Sequence, residues 1–177
     1  MPEYVAAIRQ LKSQYADRIE VVLGLEIEYL PSFSDYYKRL RESDDFDLLV
    51  LGQHFYEHPN GTYSFDDKDM SMEYEGLFDA MIQGVDTGFF DVVAHPDRAF
   101  RRRTKWGDGE QKVSRELINV ATKAGVYLEQ NYSSMMRPNR YWEDFWKLTE
   151  LDTKVLYGLD AHSTQNLEAG WLHGRKG

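Results

Sequence analysis

The chain has 177 residues, 42% of them hydrophobic and 14% aromatic, which is enough for one globular domain with a core and too little for two. With no cysteine, disulfides and thiolate metal sites are excluded, so any metal ion must be held by His, Asp, Glu, Asn or backbone oxygen. A formal net charge of -9 argues against a general nucleic-acid binder, because phosphate backbones need a basic face. No stretch approaches the roughly 20 apolar residues that span a bilayer, and residues 1–15 lack a signal-peptide core, so a cytoplasmic protein is expected.

Residues 3–15 place Val5, Ile8, Leu11 and Tyr15 at helical spacing. The β-branched run IEVVLGLEIEY (19–29) predicts a strand, Pro31 and Ser32 a turn, and residues 34–43 a helix. FDLLVL (46–51) is a compact apolar strand, and HPNGTY (58–63) a loop with Pro-Asn-Gly turn chemistry. A helix follows over 69–85, with Leu77, Phe78, Met81 and Ile82 on one face, then a strand, FFDVVA (89–94). Residues 110–123 predict a helix with Val113, Leu117, Val120 and Ala121 inward, closed by Gly125 as C-cap glycine. Strands over 126–129 and 155–159 bracket an aromatic helix over 141–151, whose Tyr141, Trp142, Phe145 and Trp146 are expected to pack as core. The tail ends in residues 174–177. Strands alternating with helices imply βαβ units and a parallel sheet or barrel, and apolar strands fit a sheet covered on both faces.

Each strand is followed by a polar residue able to ligate a metal or lying beside one that is: Glu26, His54, His95, Asn131, and Asp160 with His162. Singly, each has a bland reading. A histidine after a strand is most often a hydrogen-bonded loop residue. Asp160 can cap a helix beginning near Ser163, Glu26 can be a solvated edge residue whose face Glu28 shares, and Asn131 can be a turn residue beside Ser133 and Ser134. Together they converge on one rim, where α/β barrels build their sites. In an extended segment, alternation puts Asp160 and His162 on one side. The basic run RAFRRRTK, with Arg98, Arg101, Arg102, Arg103 and Lys105, reads either as a solvated loop or as a source of one or two phosphate clamps, Arg98 first, with Arg137 and Arg140 as lesser candidates. His58 reads as a loop residue, and His173 as part of a Gly-rich tail.

The segments GLEIEY (24–29), LGQHF (51–55), AHPDR (94–98), LEQNYSS (128–134) and GLDAHS (158–163) resemble, in order, the later motifs of the PHP (polymerase and histidinol phosphatase) superfamily, and their spacing resembles its histidinol-phosphate phosphatase branch. The resemblance covers the chain from about residue 19 onward. It implies a distorted (β/α)7 TIM-like barrel and a cluster of up to three divalent ions (Zn, Mn or Fe). Glu26, His54, His95, Asp160 and His162 would be metal ligands and catalytic residues, with Arg98 and Asn131 contacting substrate. The implied reaction is hydrolysis of a phosphomonoester, L-histidinol phosphate in histidine biosynthesis. The family opens on a strand ending in His-x-His, yet the five histidines here include none before His54. A barrel of this type takes roughly 200 to 250 residues. The expectation is therefore a single PHP-like domain over 1–177, N-terminally truncated and lacking the first strands. Two alternatives stand beside the phosphatase. One is a catalytically impaired domain that binds part of the cluster and self-associates over open edges. The other is a PHP phosphoesterase with another substrate.

Overall fold

The computed structural model describes residues 1–43 and 45–174, of the last two the backbone only. The expectations for the His173 side chain and for residues 175–177 lie outside the described residues. Among the described residues five parallel strands form one sheet: β1 (Gly24–Ile27), β2 (Leu48–Leu51), β3 (Val92–Val93), β4 (Tyr127–Asn131) and β5 (Val155–Gly158). Their spatial order is their chain order, β1-β2-β3-β4-β5. That is the arrangement of a βα barrel; a doubly wound sheet would reverse direction at a switch point.

Among the described residues, seven α-helices accompany the strands: α1 (Pro2–Gln14), α2 (Ser34–Glu42), α3 (Glu73–Asp86), α4 (Asp108–Ala124), the one-turn α5 (Tyr132–Met135) and α6 (Glu143–Trp146), and α7 (Thr164–Gly174). The register puts Leu25 beside Leu49, Leu51 beside Val93, and Leu128 beside Val155, so one sheet face is apolar. On that face Leu49, Leu51, Val93 and Leu128 are buried with Leu77, Phe78 and Met81 of α3 and Leu117, Ile118 and Ala121 of α4. The inward positions read from the sequence for α3 and α4 are thus the core ones, with Ile82, Val113 and Val120 packed at its margin. Glu26 alternates with these residues and pairs with Val50, so it lies on the opposite face.

The strands are shorter than the runs that predict them. Leu23 N donates to Asp47 Oδ2 (2.6 Å) and Asp47 N to Leu23 O (2.8 Å), and ladder pairing starts only at Gly24 and Leu48, leaving Ile19 and Val22 exposed. Helix α3 starts at Glu73, because Asp69 accepts Ser71 N in a preceding turn. Helix α4 starts at Asp108, where Glu110 Oε2 reaches back to Gly107 N (3.1 Å), and ends at Gly125, whose φ of 70° suits the expected glycine cap. The helix expected over 141–151 is a single α turn, α6. Trp142 N is taken by Asp97 Oδ2, and Leu148 and Thr149 close three-residue turns on Phe145 and Trp146, so the winding continues without an α ladder. Phe145 and Trp146 are nonetheless buried, with Tyr141 and Trp142 packed against them. No helix among the described residues is long and apolar enough to cross a membrane.

Candidate metal and phosphate site

The strand C-termini bring three of the expected ligands together. One ligand atom each from Glu26, His54 and His95 lies within 4.8 Å of the others, and this is the one such group among the described residues. His95 Nε2 is 3.4 Å from Glu26 Oε1, and the two imidazole centroids are 5.0 Å apart. Their closeness depends on Gly52 at the end of β2: a side chain there would collide with the Glu26 carboxylate. Glu26 is held below the usual carboxylate range, chiefly by its hydrogen bond with His95, against the opposing effect of burial; the charges of His95, His54 and Arg98 add to it. It is therefore an ionised oxygen donor.

His54 is oriented by Glu28, one alternation beyond Glu26. Glu28 Oε2 accepts His54 N (2.7 Å), and Oε1 lies 2.8 Å from His54 Nδ1. Arg98 NH1 is 3.1 Å from the other ring nitrogen, Nε2. A guanidinium has only donors, so Nε2 is the bare nitrogen and Nδ1 carries the proton toward Glu28. This is the carboxylate–histidine pairing that turns an imidazole lone pair toward a metal. The sites fit a borderline divalent ion: two imidazoles and one carboxylate, with a carboxylate behind the first imidazole. Arg98 would release Nε2 when an ion takes it.

His95 is buried and adopts a left-handed conformation (φ 35°, ψ 53°), rare for a residue with a side chain. Its N–H donates to Glu129 Oε2 (3.1 Å). Glu129 was not among the sequence candidates, although alternation along β4 puts it on the face of Asn131. Burial pushes the Glu129 carboxyl up, against the opposing hydrogen bond from Asn131. Gly158 leaves the room it needs, since a side chain at Gly158 would overlap that carboxylate.

Asn131 has a different place from the substrate contact expected of it. It is fully buried; Oδ1 accepts Ser134 N (2.8 Å) as N-cap of α5, and Nδ2 donates to Glu129 Oε2 (3.1 Å). The turn reading of this residue is the one the geometry supports, and its side chain braces Glu129. Asp160 and His162 do reach the rim: with Glu26, His54, His95, Arg98 and Arg137 they line one cavity of about 320 Å³. They are not at ligand distance from the triad. Asp160 is left-handed (φ 48°), so the segment is bent and the expected alternation fails. His162 is exposed, with Nδ1 turned back 2.8 Å from Asp160 O. Ser163, not Asp160, caps α7 through Asn166 N (3.2 Å).

The first part of the basic run is packed into the structure, while Arg102 and Lys105 are exposed. Residues Pro96–Phe100 form a 3-10 turn in which Pro96, Asp97, Ala99 and Phe100 are buried. Arg98 is half-buried in the cavity wall, its Nε without a partner among the described residues. Burial makes the charged form of Arg98 harder to hold, as do Arg140 and Arg101 nearby. Arg102 and Arg103 turn away, to Glu73 Oε2 (2.9 Å) and Glu110 Oε1 (2.5 Å). His58 is held in its loop by Asp67 through Nε2 (2.9 Å), apart from the cluster.

Known proteins of similar fold are named as histidinol phosphatases. Over 97% of this chain and 75% of its own, a Listeria monocytogenes protein named as a candidate histidinol phosphatase, hisK, superposes with a TM-score of 0.75 at 19% identity. The histidinol phosphate phosphatase of Lactococcus lactis, crystallised with Zn, L-histidinol and phosphate, superposes over 99% of this chain and 73% of its own, with a TM-score of 0.71 at 18% identity. In sequence, the Deinococcus radiodurans protein named Probable histidinol-phosphatase is 26% identical over 149 residues, which is 78% of this chain and 54% of that protein. The chain thus spans about half the length of this relative. The α/β architecture with its parallel sheet is that of the TIM-like PHP barrels. The model of the PHP domain family matches residues 1–133, so the chain belongs to the PHP domain family.

Proposed function

We propose that the protein is a metal-dependent phosphomonoesterase acting on L-histidinol phosphate, giving L-histidinol and phosphate. The observation that carries this is the Glu26–His54–His95 triad with Arg98 against it, on the C-terminal rim of the sheet. Glu26, His54 and His95 would hold the ion, with Asp160 and His162 on the facing wall. A bound divalent ion supplies Lewis acidity, neutralising phosphoryl oxygens and acidifying water. Arg98 takes the phosphate, a planar pair of donors matched to two oxygens; Arg137 and Arg140 add positive charge beside it. Glu28 keeps the His54 proton on Nδ1, and Glu129 keeps His95 in its left-handed pose. The substrate rests on the names of the relatives, and zinc on the Lactococcus lactis complex, with manganese and iron as the other ions suited to these donors. A cytoplasmic place in histidine biosynthesis belongs to the same proposal.

A second reading is favoured by one observation: among the described residues only three ligands gather, while Asp160 and His162 stay apart. It is a PHP domain that binds part of the cluster and turns over poorly. The experiment is to strip the protein with a chelator, reload it with zinc, manganese or iron(II), and follow phosphate release from L-histidinol phosphate. Metal uptake with turnover, lost at least about a hundredfold on chelation, supports the phosphatase. Metal uptake without turnover supports the second reading, and no uptake sinks both.

A further inference from the structure

His54 meets a charged neighbour at each of its polar atoms. Glu28 takes the backbone N–H and faces Nδ1, and Arg98 faces Nε2. The fourth atom, the carbonyl oxygen, accepts from Arg101 NH2 at 3.1 Å. The same nitrogen donates to Glu73 Oε1 at 2.7 Å. Glu73 is 5% exposed, opens α3, and shares its other oxygen with Arg102. The phosphatase reading uses neither Arg101 nor Glu73.

Burying a guanidinium against a carboxylate carries a desolvation cost, and such pairs are weak evidence for stability alone. Here the pair has a second product. It ties the loop after β3 to the start of α3, and through one nitrogen to His54, three residues past β2. A lysine has no planar fork able to span two acceptors in fixed directions.

We propose that Arg101, anchored by Glu73, is a positioning residue for His54, fixing the backbone carbonyl so that the ring meets Glu26 and His95. This rests on the metal reading of the triad. Its alternative is that Arg101 contacts the substrate phosphate, as its place in the basic run suggests.

The test compares Arg101→Lys and Glu73→Gln with Arg102→Ala, a change that removes a partner of Glu73 without touching His54. Circular dichroism and thermal melting first establish that each variant is folded. Two measurements then follow: cobalt(II) titration with its visible absorption bands, and long-range ¹H–¹⁵N spectra of the imidazole rings in metal-free protein. For Arg101→Lys and Glu73→Gln we expect about tenfold weaker cobalt binding with altered bands, and shifted or broadened His54 ring signals with His58 unmoved. KM for the phosphoester should stay within twofold while kcat falls. Arg102→Ala should match the wild type. Unchanged cobalt binding with KM raised tenfold would make Arg101 a substrate contact and overturn the proposal, as would an Arg102→Ala effect equal to that of Arg101→Lys. If the wild type binds cobalt but hydrolyses no phosphoester, the phosphatase reading fails and the cobalt titration still decides the role of Arg101. If it binds no cobalt, the metal reading fails, and unmoved His54 signals in Arg101→Lys would sink the proposal with it.

Discussion

At the scale of single residues, the site is made by second partners as much as by its ligands. Two imidazoles and a carboxylate gather at the rim because Glu28 and Glu129 pin His54 and His95 and because Gly52 and Gly158 give two carboxylates space. Arg98 lies within reach of the same atoms and lines the cavity they share, so a phosphate held there would meet its guanidinium. Replacing Arg98 with alanine should raise KM for the phosphoester about tenfold or more, as removing a charge-assisted bond of a few kcal/mol would. Steady-state kinetics checks this, and an unchanged KM removes Arg98 from phosphate binding. Asp97 makes a prediction of another kind. Burial pushes its carboxyl from the ordinary 3.8 to about 7, against hydrogen bonds from Trp142 and Trp146. A carboxyl with a raised folded-state pKa weighs against the fold only where it must ionise. The penalty is absent below pH 3.8, grows as pH rises toward about 7, and is constant above it. The stability advantage of wild type over Asp97→Asn should therefore shrink between pH 5 and 8, measured by urea unfolding of chelator-treated protein. A difference independent of pH would mean that Asp97 stays ionised throughout.

At the scale of elements, what the sequence made legible and what it hid follow from the range of the interactions. Core faces of α3 and α4 and the glycine stop at Gly125 depend on spacing within one helix, and they stand where the pattern puts them. His54 lies three residues past β2 and His95 two past β3, so strand ends located them. The short α6 depends on a partner far along the chain, Asp97 for Trp142 N, whereas the left-handed Asp160 and the buried Asn131, bonded to Glu129 two residues before it, carry no spacing signal. Glu73 is equally remote from the arginines it holds, so no local pattern marks it. Such coupling also joins packing to function. The Phe78 ring of α3 stacks on Phe100 at 4.9 Å, and Phe100 ends the 3-10 turn carrying Asp97 and Arg98. Both rings are fully buried. Phe78→Ala should cost about 3–5 kcal/mol in urea unfolding. It should also weaken phosphoester turnover beyond the unfolded fraction, because the turn loses its floor. Full specific activity per folded molecule would mean that the turn holds its shape without α3.

At the scale of the whole molecule, the sheet ends in two outer strands, β1 and β5. Strand β1 pairs only with β2, and β5 only with β4, among the described residues. Exposed apolar side chains flank these strands in the chain: Ile19 and Val22 before β1, Val155 in β5, and Leu167 and Leu172 on α7, the helix that follows β5. Unpaired parallel edges with apolar flanks favour pairing with another chain. Against this stands a net charge of -9, which makes copies repel at low salt. Hydrophobic contact is not screened by salt, whereas charge repulsion is. The balance therefore predicts association that strengthens as salt rises from about 0.05 to 0.5 M. Light scattering after size exclusion should show mass rising with both protein and salt concentration. Leu167→Lys should hold the chain monomeric over the same range, by adding a charge where an apolar contact is needed. A monomer at every salt concentration would mean that the edges are protected within the chain. If the mass is raised but insensitive to Leu167→Lys, the contact lies at the β1 edge instead.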